Sequence, residues 1–418
     1  MNVRLFTHAG KFVTIDKLII RERGQEVSES PRLTRGLTWV LAIAAGLSVA
    51  NIYYNQPLLG SVSRHYQGAS LIHLIPAATQ LGYAAGLLFL VPLGDAASRR
   101  RVILWQTLGL VAALAFVSWA HTPATLLVGS VVVGAAATVA QQIIPLAAEL
   151  ADPLQRGQAV GTVMSGLLAG ILLARTLSGV VGQYLGWSGV FWISTAMAVL
   201  LGIMLYATLP RHVHFRHTAY GDLLRSLVKI FGDYPELRWA IIRQGGLFAA
   251  FSAFWSLLAV YLAQRYHVGS VAAGLYGILG FGGVLVAPFA GRRADTRGAG
   301  GLIAGGILLL LAGFIVFLIW PNYWGLGIGT LIMDAGVQMS MVSNQSIIFA
   351  LNQDARNRIN TLYMTGMFLC GAAGSALGSV AWNAAGWSGV MGLGLILGGI
   401  SLASFRLGHH LRIREASA

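Results

Sequence analysis

The chain has 418 residues, is 56% hydrophobic and only 10% charged, and carries a formal net charge of +14. A soluble domain uses roughly 25% charged residues to cover its surface. This composition, with a mean hydropathy of +0.70, therefore excludes a soluble enzyme, a disordered chain and a nucleic-acid-binding domain, and points to a polytopic membrane protein whose lipid-facing surface needs no charge.

Residues 1–36 are polar and basic and lack both the apolar stretch and the small-residue cleavage site of a secretory signal. They read as a cytoplasmic tail. A membrane-crossing helix takes about 20 mostly apolar residues. Twelve such runs follow, at 37–61, 71–94, 102–120, 124–148, 159–182, 187–209, 241–263, 271–291, 301–320, 323–350, 361–383 and 387–405. They are too long and too uniformly apolar for barrel strands. Residues 406–418 form a second basic tail. Of the 28 Lys and Arg residues, 25 fall in the tails and even-numbered loops, with Arg243 at the edge of the seventh run counted with the linker, two (Arg64 and Arg265) in the odd-numbered loops, and Arg175 inside a span. The positive-inside asymmetry puts both termini in the cytoplasm, in agreement with an even number of spans.

The second half of the chain repeats the first. Gly-Trp-Ser-Gly-Val occurs at 186–190 and 386–390, and Asp95, Arg156 and Gly166 recur as Asp295, Arg356 and Gly366, all at an offset of 200. Four coincidences in register indicate duplication of a six-span unit. The expected organisation is a six-helix half over 37–209, a basic linker over 210–240 with a surface helix, and a second six-helix half over 241–405. Parallel repeats of this kind build transporters whose halves rock about a mid-membrane site.

The loop motifs resemble those of the major facilitator superfamily, and within it the bacterial twelve-span drug and metabolite efflux group, over about residues 37–405. The family's Gly-x-x-x-Asp-x-x-Gly motif is clean in the second half, as Gly291, Asp295 and Gly298 with Arg292, Arg293 and Arg297. The first copy keeps Asp95, Arg99, Arg100 and Arg101 but has Val91 and Ser98 at the glycine positions. The resemblance implies an all-α fold of twelve transmembrane helices, a cytoplasmic latch at these residues, and a bacterial inner-membrane carrier that exports a small organic solute in exchange for protons. Two departures weaken a direct transfer of roles. The fourth-span Arg usual in antiporters is Ser130, before Gly134, and the fifth-span proline motif reads Ala174-Arg175-Thr176-Leu177-Ser178-Gly179. A proton-linked importer of a polar or anionic metabolite is the alternative.

Arg175 and Asp334 are the two charges expected well inside spans. Each costs about 2.5–3.5 kcal/mol at a helix centre and is a functional candidate by default. Depths of about 10 and 16 Å from the outer ends, at about 1.5 Å per residue, allow them to meet across a central cavity. Three roles stay open: substrate binding by Arg175 with proton uptake by Asp334, a structural ion pair, or snorkelling of Arg175. Asn51 and Asn55, four residues apart, are expected on one helix face with Tyr54. With Gln141 and Gln338 they are candidates for a hydrogen-bonding cavity wall, or for interhelical contacts alone. Phe251 and Trp255 supply the aromatic counterpart in the second half. No metal-ligand spacing, nucleophile elbow or nucleotide-binding loop is visible, so the chain reads as a transporter and not an enzyme, with no cofactor and no metal. Its partners are a small-molecule substrate, protons and the lipid bilayer. Each chain holds a full pathway, so a monomer suffices.

Overall fold

The computed structural model describes residues 4–6, 12–14, 33–67, 69–152, 154–211, 219–280, 286, 290, 293 and 298–417. Apart from an antiparallel pair of strands in the N-terminal tail, Arg4–Phe6 with Phe12–Thr14, these residues are overwhelmingly helical. A bilayer offers no partner for backbone N–H and C=O groups, so each apolar run closes its hydrogen bonds within itself.

Among the described residues, nine helical stretches are apolar and long enough to cross a membrane. Seven are single spans: Arg35–His65, Leu71–Ala96, Arg99–Ser118, Pro123–Leu150, Pro235–Tyr266, Gly300–Ile319 and Tyr323–Leu351. The other two, Arg156–Thr208 and Arg356–Gly408, have 53 residues each. At about 1.5 Å per residue each would be about 80 Å long if straight, far beyond the ~30 Å hydrocarbon layer. Each folds back into two arms at a glycine in the left-handed region, Gly186 (φ 75°) and Gly386 (φ 59°). Only glycine adopts that conformation freely. The repeated Gly-Trp-Ser-Gly-Val sequence is thus the hinge between the fifth and sixth spans and again between the eleventh and twelfth. The apolar helix Ser270–Leu279 occupies the start of the eighth span. Among the described residues these elements account for eleven of the expected spans and the start of the eighth.

The duplication extends to details. Thr122 caps the fourth span and Asn322 the tenth, each through its side chain. The Tyr66 hydroxyl donates to Ala120 O and the Tyr266 hydroxyl to Pro321 O, both at 2.8 Å. Within each half, small residues let backbones approach closely. A Cβ on Gly166 would collide with the Ala42 backbone, and one on Gly170 with Gly46. The outer surface carries exposed Trp39, Trp105, Leu200 and Ile396, as lipid contact requires.

The halves meet unevenly along their seam. On the face away from the linker they touch directly. Ser270 Oγ donates to Gly179 O at 2.7 Å, Thr176 Oγ1 to Gly274 O at 3.0 Å, and Val271 N to Gln183 Oε1 at 3.3 Å. On the linker face a cleft separates Pro92, Asp95 and Pro145 from Asn357 and Thr361. The amphipathic helix Tyr220–Asp233 lays Leu223 and Leu227 into it, and the Tyr220 hydroxyl bonds Phe89 O at 2.8 Å.

Candidate functional site

The first span is broken at 51–54, which form turns. Pro57 has no N–H to donate to the Tyr53 carbonyl, and Gln56 N bonds that carbonyl at 3.3 Å instead. The break resets the helix face. Tyr53 and Gln56 turn to the seam, where Gln56 Oε1 accepts from Arg175 Nε at 2.7 Å. The Arg175 guanidinium is 4.0 Å from the Trp255 ring centroid, 4.8 Å from Tyr53 and 5.6 Å from Phe251. A desolvated cation on an aromatic face gains up to about 2 kcal/mol, which offsets part of the cost of burying Arg175 to 2% exposure.

Asp334, on the tenth span, is 5% exposed. It forms no direct salt bridge with Arg175, yet the two side chains and Tyr53 sense one another electrostatically. Trp255 also approaches Asp334, but without hydrogen-bond geometry. Among the described residues, Arg175 Nη2, Trp255 Nε1 and Asp334 Oδ1 are all buried without a hydrogen-bond partner. The eighth span makes room for this cluster with two glycines three residues apart. A Cβ on Gly277 would lie 2.8 Å from Arg175 Cβ, and one on Gly280 2.8 Å from Asp334 Oδ2. Five spans therefore build the site, and its charges have no counterpart at the 200 offset, where Gly134 and Ser375 stand.

From Trp255 an aromatic ladder continues along the seventh span toward the linker face. Phe251 stacks on Phe248 at 5.5 Å, Phe248 meets Phe368 edge-on at 5.1 Å, and Phe368 meets Tyr83 at 4.5 Å. Gln141 Nε2 donates to the Tyr83 hydroxyl at 3.1 Å. Gln338 is half-buried one turn from Asp334.

Several expectations need correction. Asn51 and Tyr54 do not reach the seam. They line a cavity of about 10 Å³ inside the first half with Leu110, Ser194 and Leu201, room for one water. Asn51 Nδ2 bonds its own helix at Leu47 O and Ser48 O. Asn55 turns a different way, to Thr79 Oγ1 at 2.8 Å, because the broken turn destroys the four-residue register. Arg243, counted with the linker, lies inside the seventh span at 1% exposure, bound to Glu236 Oε1 at 2.5 Å and Asn344 Oδ1 at 3.2 Å. Of the expected latch, Arg99 is buried and bridges Asp95 (2.5 Å) and Glu149 (2.8 Å) within the first half. Arg100 bonds Tyr206 O and Leu209 O, also within that half. Gly291 and Asp295 lie outside the described residues, whereas Gly298 takes a positive φ of 85°.

A family profile described as Major Facilitator Superfamily matches residues 41–349. The chain belongs to the Major Facilitator Superfamily. This facilitator is 39% identical over 383 residues to the uncharacterized transporter YgaY of Escherichia coli O157:H7, covering 90% of this chain and 97% of that protein. It is 36% identical over 372 residues to a probable transporter of Streptomyces coelicolor, covering 86% and 85% of the two chains. The human organic anion transporter MFSD10 (TETRAN) has a similar crystal structure, with a TM-score of 0.66 at 18% identity, covering 90% of this chain and 100% of that one. The facilitator is a multi-pass membrane protein, and its class carries out secondary transport.

Proposed function

We propose that this facilitator moves a small organic solute across the bacterial inner membrane by alternating access, with both termini in the cytoplasm and a proton as the coupling ion. One observation carries the reading. The two buried charges of the seam, Arg175 and Asp334, come from opposite halves, sense each other without pairing, and each keeps an unpartnered polar atom. A structural ion pair would close that gap, since a buried pair recovers its desolvation cost only in good geometry. A snorkelling Arg would leave the interior. A binding pocket for a charged or polar solute keeps such atoms free. Rocking of the halves exposes the pair alternately to the two sides, and Asp334 then takes up or releases a proton according to the occupancy of the Arg175 pocket.

Export in exchange for protons is the reading inherited from the efflux group. A second reading, uptake of an anionic metabolite together with a proton, is favoured by the free Nη2 of Arg175. Proteoliposomes with an imposed pH difference test the proposal. Solute accumulation that follows the sign of the gradient and disappears in Asp334→Asn supports it. Accumulation that is unchanged in Asp334→Asn removes the coupling role.

A further inference from the structure

Within the proposed transport site, we infer that the cargo is a flat organic monocarboxylate that loads together with one proton on Asp334. This inference rests on the reading of Arg175 and Asp334 as the transport site and names the substrate class of that site.

The argument begins with the three unpartnered groups, Arg175 Nη2, Trp255 Nε1 and Asp334 Oδ1. The first two are donors with no lone pair to offer, one cationic and one neutral. A carboxylate presents two oxygens and accepts from both, and the guanidinium–carboxylate bond is of the strong, charge-assisted kind. An amine cargo would meet Arg175 with a like charge. A neutral amide would satisfy the donors through one oxygen without answering the cation.

Asp334 decides what accompanies the anion. Ionised, it only accepts hydrogen bonds, so it competes with a carboxylate cargo for the same two donors. It also leaves the pocket with two negative charges against one positive charge. Among the described residues, Arg175 is the cation that acts on Asp334, with Tyr53 as its titratable neighbour. Uncompensated charge in a buried site is costly. A proton on Asp334 removes the excess and turns its carboxyl into a third donor. Anion and proton therefore occupy the site together, the loaded site has the same net charge as the empty one, and transport is electroneutral. The proton gradient of a respiring cell then drives uptake.

The walls select the body of the cargo. Trp255, Phe251, Phe248, Phe368 and Tyr83 form a continuous file of rings from the pocket toward the linker face. Gly277 and Gly280 add no side chain where the eighth span packs against Arg175 and Asp334. When the halves part, such a file offers a planar, unsaturated body a series of stacking contacts.

The test uses the purified full chain in lipid nanodiscs and three probes of similar size that differ in charge: benzoate, benzamide and benzylamine. Thermal stabilisation and proton uptake from a weakly buffered solution are both measured. Benzoate is expected to stabilise the protein at concentrations at least tenfold lower than either other probe, with close to one proton taken up per benzoate bound. Arg175→Gln should abolish the benzoate effect, and Arg175→Lys, which keeps the charge without the fork, should weaken it about tenfold. Exposed Arg265→Gln should leave it unchanged. Asp334→Asn should bind benzoate with no proton uptake. Equal binding of benzamide or benzylamine, benzoate binding that survives Arg175→Gln, or binding without proton uptake in the wild type overturns the inference. Benzoate binding with a proton but no gradient-driven flux in proteoliposomes would sink the transport reading and leave the site chemistry standing. Gradient-driven flux of other solutes with no preference for benzoate would sink the inference alone.

Discussion

Arg175 is held by Gln56, not by Asp334: its Nε donates to Gln56 Oε1 at 2.7 Å across the first half, while the acid from the second half stays without a direct bond to it. Gln56 thus keeps the cation available. Replacement by Leu preserves side-chain volume but removes the acceptor, and the freed guanidinium is expected to move onto Asp334. A buried direct pair is hard to open, so Gln56→Leu should reduce gradient-driven transport at least tenfold while the melting temperature stays within a few degrees of wild type. Flux in proteoliposomes and a detergent melt, run in parallel, check both parts. Normal flux with Gln56→Leu would show that Arg175 needs no tether.

Asp334 faces Gly280 across a gap that no Cβ fits, 2.8 Å from Asp334 Oδ2. Gly280→Val should therefore crowd the carboxyl group against Arg175 and impair transport, whereas Gly301→Val, in open space at the start of the ninth span, should behave as wild type. The comparison separates a local effect on the acid from a general intolerance to branched residues. Overpacking of this kind costs roughly 1–3 kcal/mol, small enough for the protein to fold. Equal flux from the two variants would mean that the eighth span does not confine Asp334.

The contrast between what the chain displays and what it hides follows from physics at particular residues. Arg175 and Asp334 stand out because a charge inside an apolar run has few harmless explanations, and both face the seam. The hinges at Gly186 and Gly386 were visible as a repeated pentapeptide, although its conformational meaning needed the positive φ. Gln56 and Tyr53 stayed hidden because helical periodicity was extended across 51–54, where the chain turns. Pro57 was the available signal for a reset of the face, since it leaves the Tyr53 carbonyl to another donor. Arg243 was missed because the seventh helix begins at Pro235 rather than near 241, and a basic linker made one more Arg look like a loop residue.

The seam is closed on the face away from the linker by backbone-close contacts. A Cβ on Gly274 would lie 2.7 Å from Arg175 O and 3.2 Å from Gly179 Cα. Gly274→Val is expected to wedge the fifth and eighth spans apart and favour a state open on that face. Ser178, beside this contact and 1% exposed, provides the reporter. In a Cys370→Ser background, Ser178→Cys should resist a membrane-impermeant maleimide, and adding Gly274→Val should raise its labelling at least fivefold. Unchanged labelling would mean that the crossing is not a gate.

Arg243 and Glu236 form the most thoroughly buried charge pair among the described residues, with side chains 1% and 15% exposed and 2.5 Å apart. Asn344 on the tenth span accepts from the same guanidinium, and the buried Tyr363 hydroxyl is near enough to feel its charge. Arg243→Met removes the cation, and with it one charged partner of the Glu236 carboxylate and the donor to the Asn344 amide oxygen. Breaking a buried pair on one side typically costs about 3–5 kcal/mol, so this variant should melt well below wild type in detergent. The double variant Arg243→Met with Glu236→Met removes both charges and should recover most of that loss, because replacing a whole buried pair by apolar side chains is close to neutral. Transport distinguishes structure from mechanism here. A double variant that is stable and active assigns the pair to holding the seventh and tenth spans together, whereas one that is stable but inactive assigns Arg243 a part in the transport cycle.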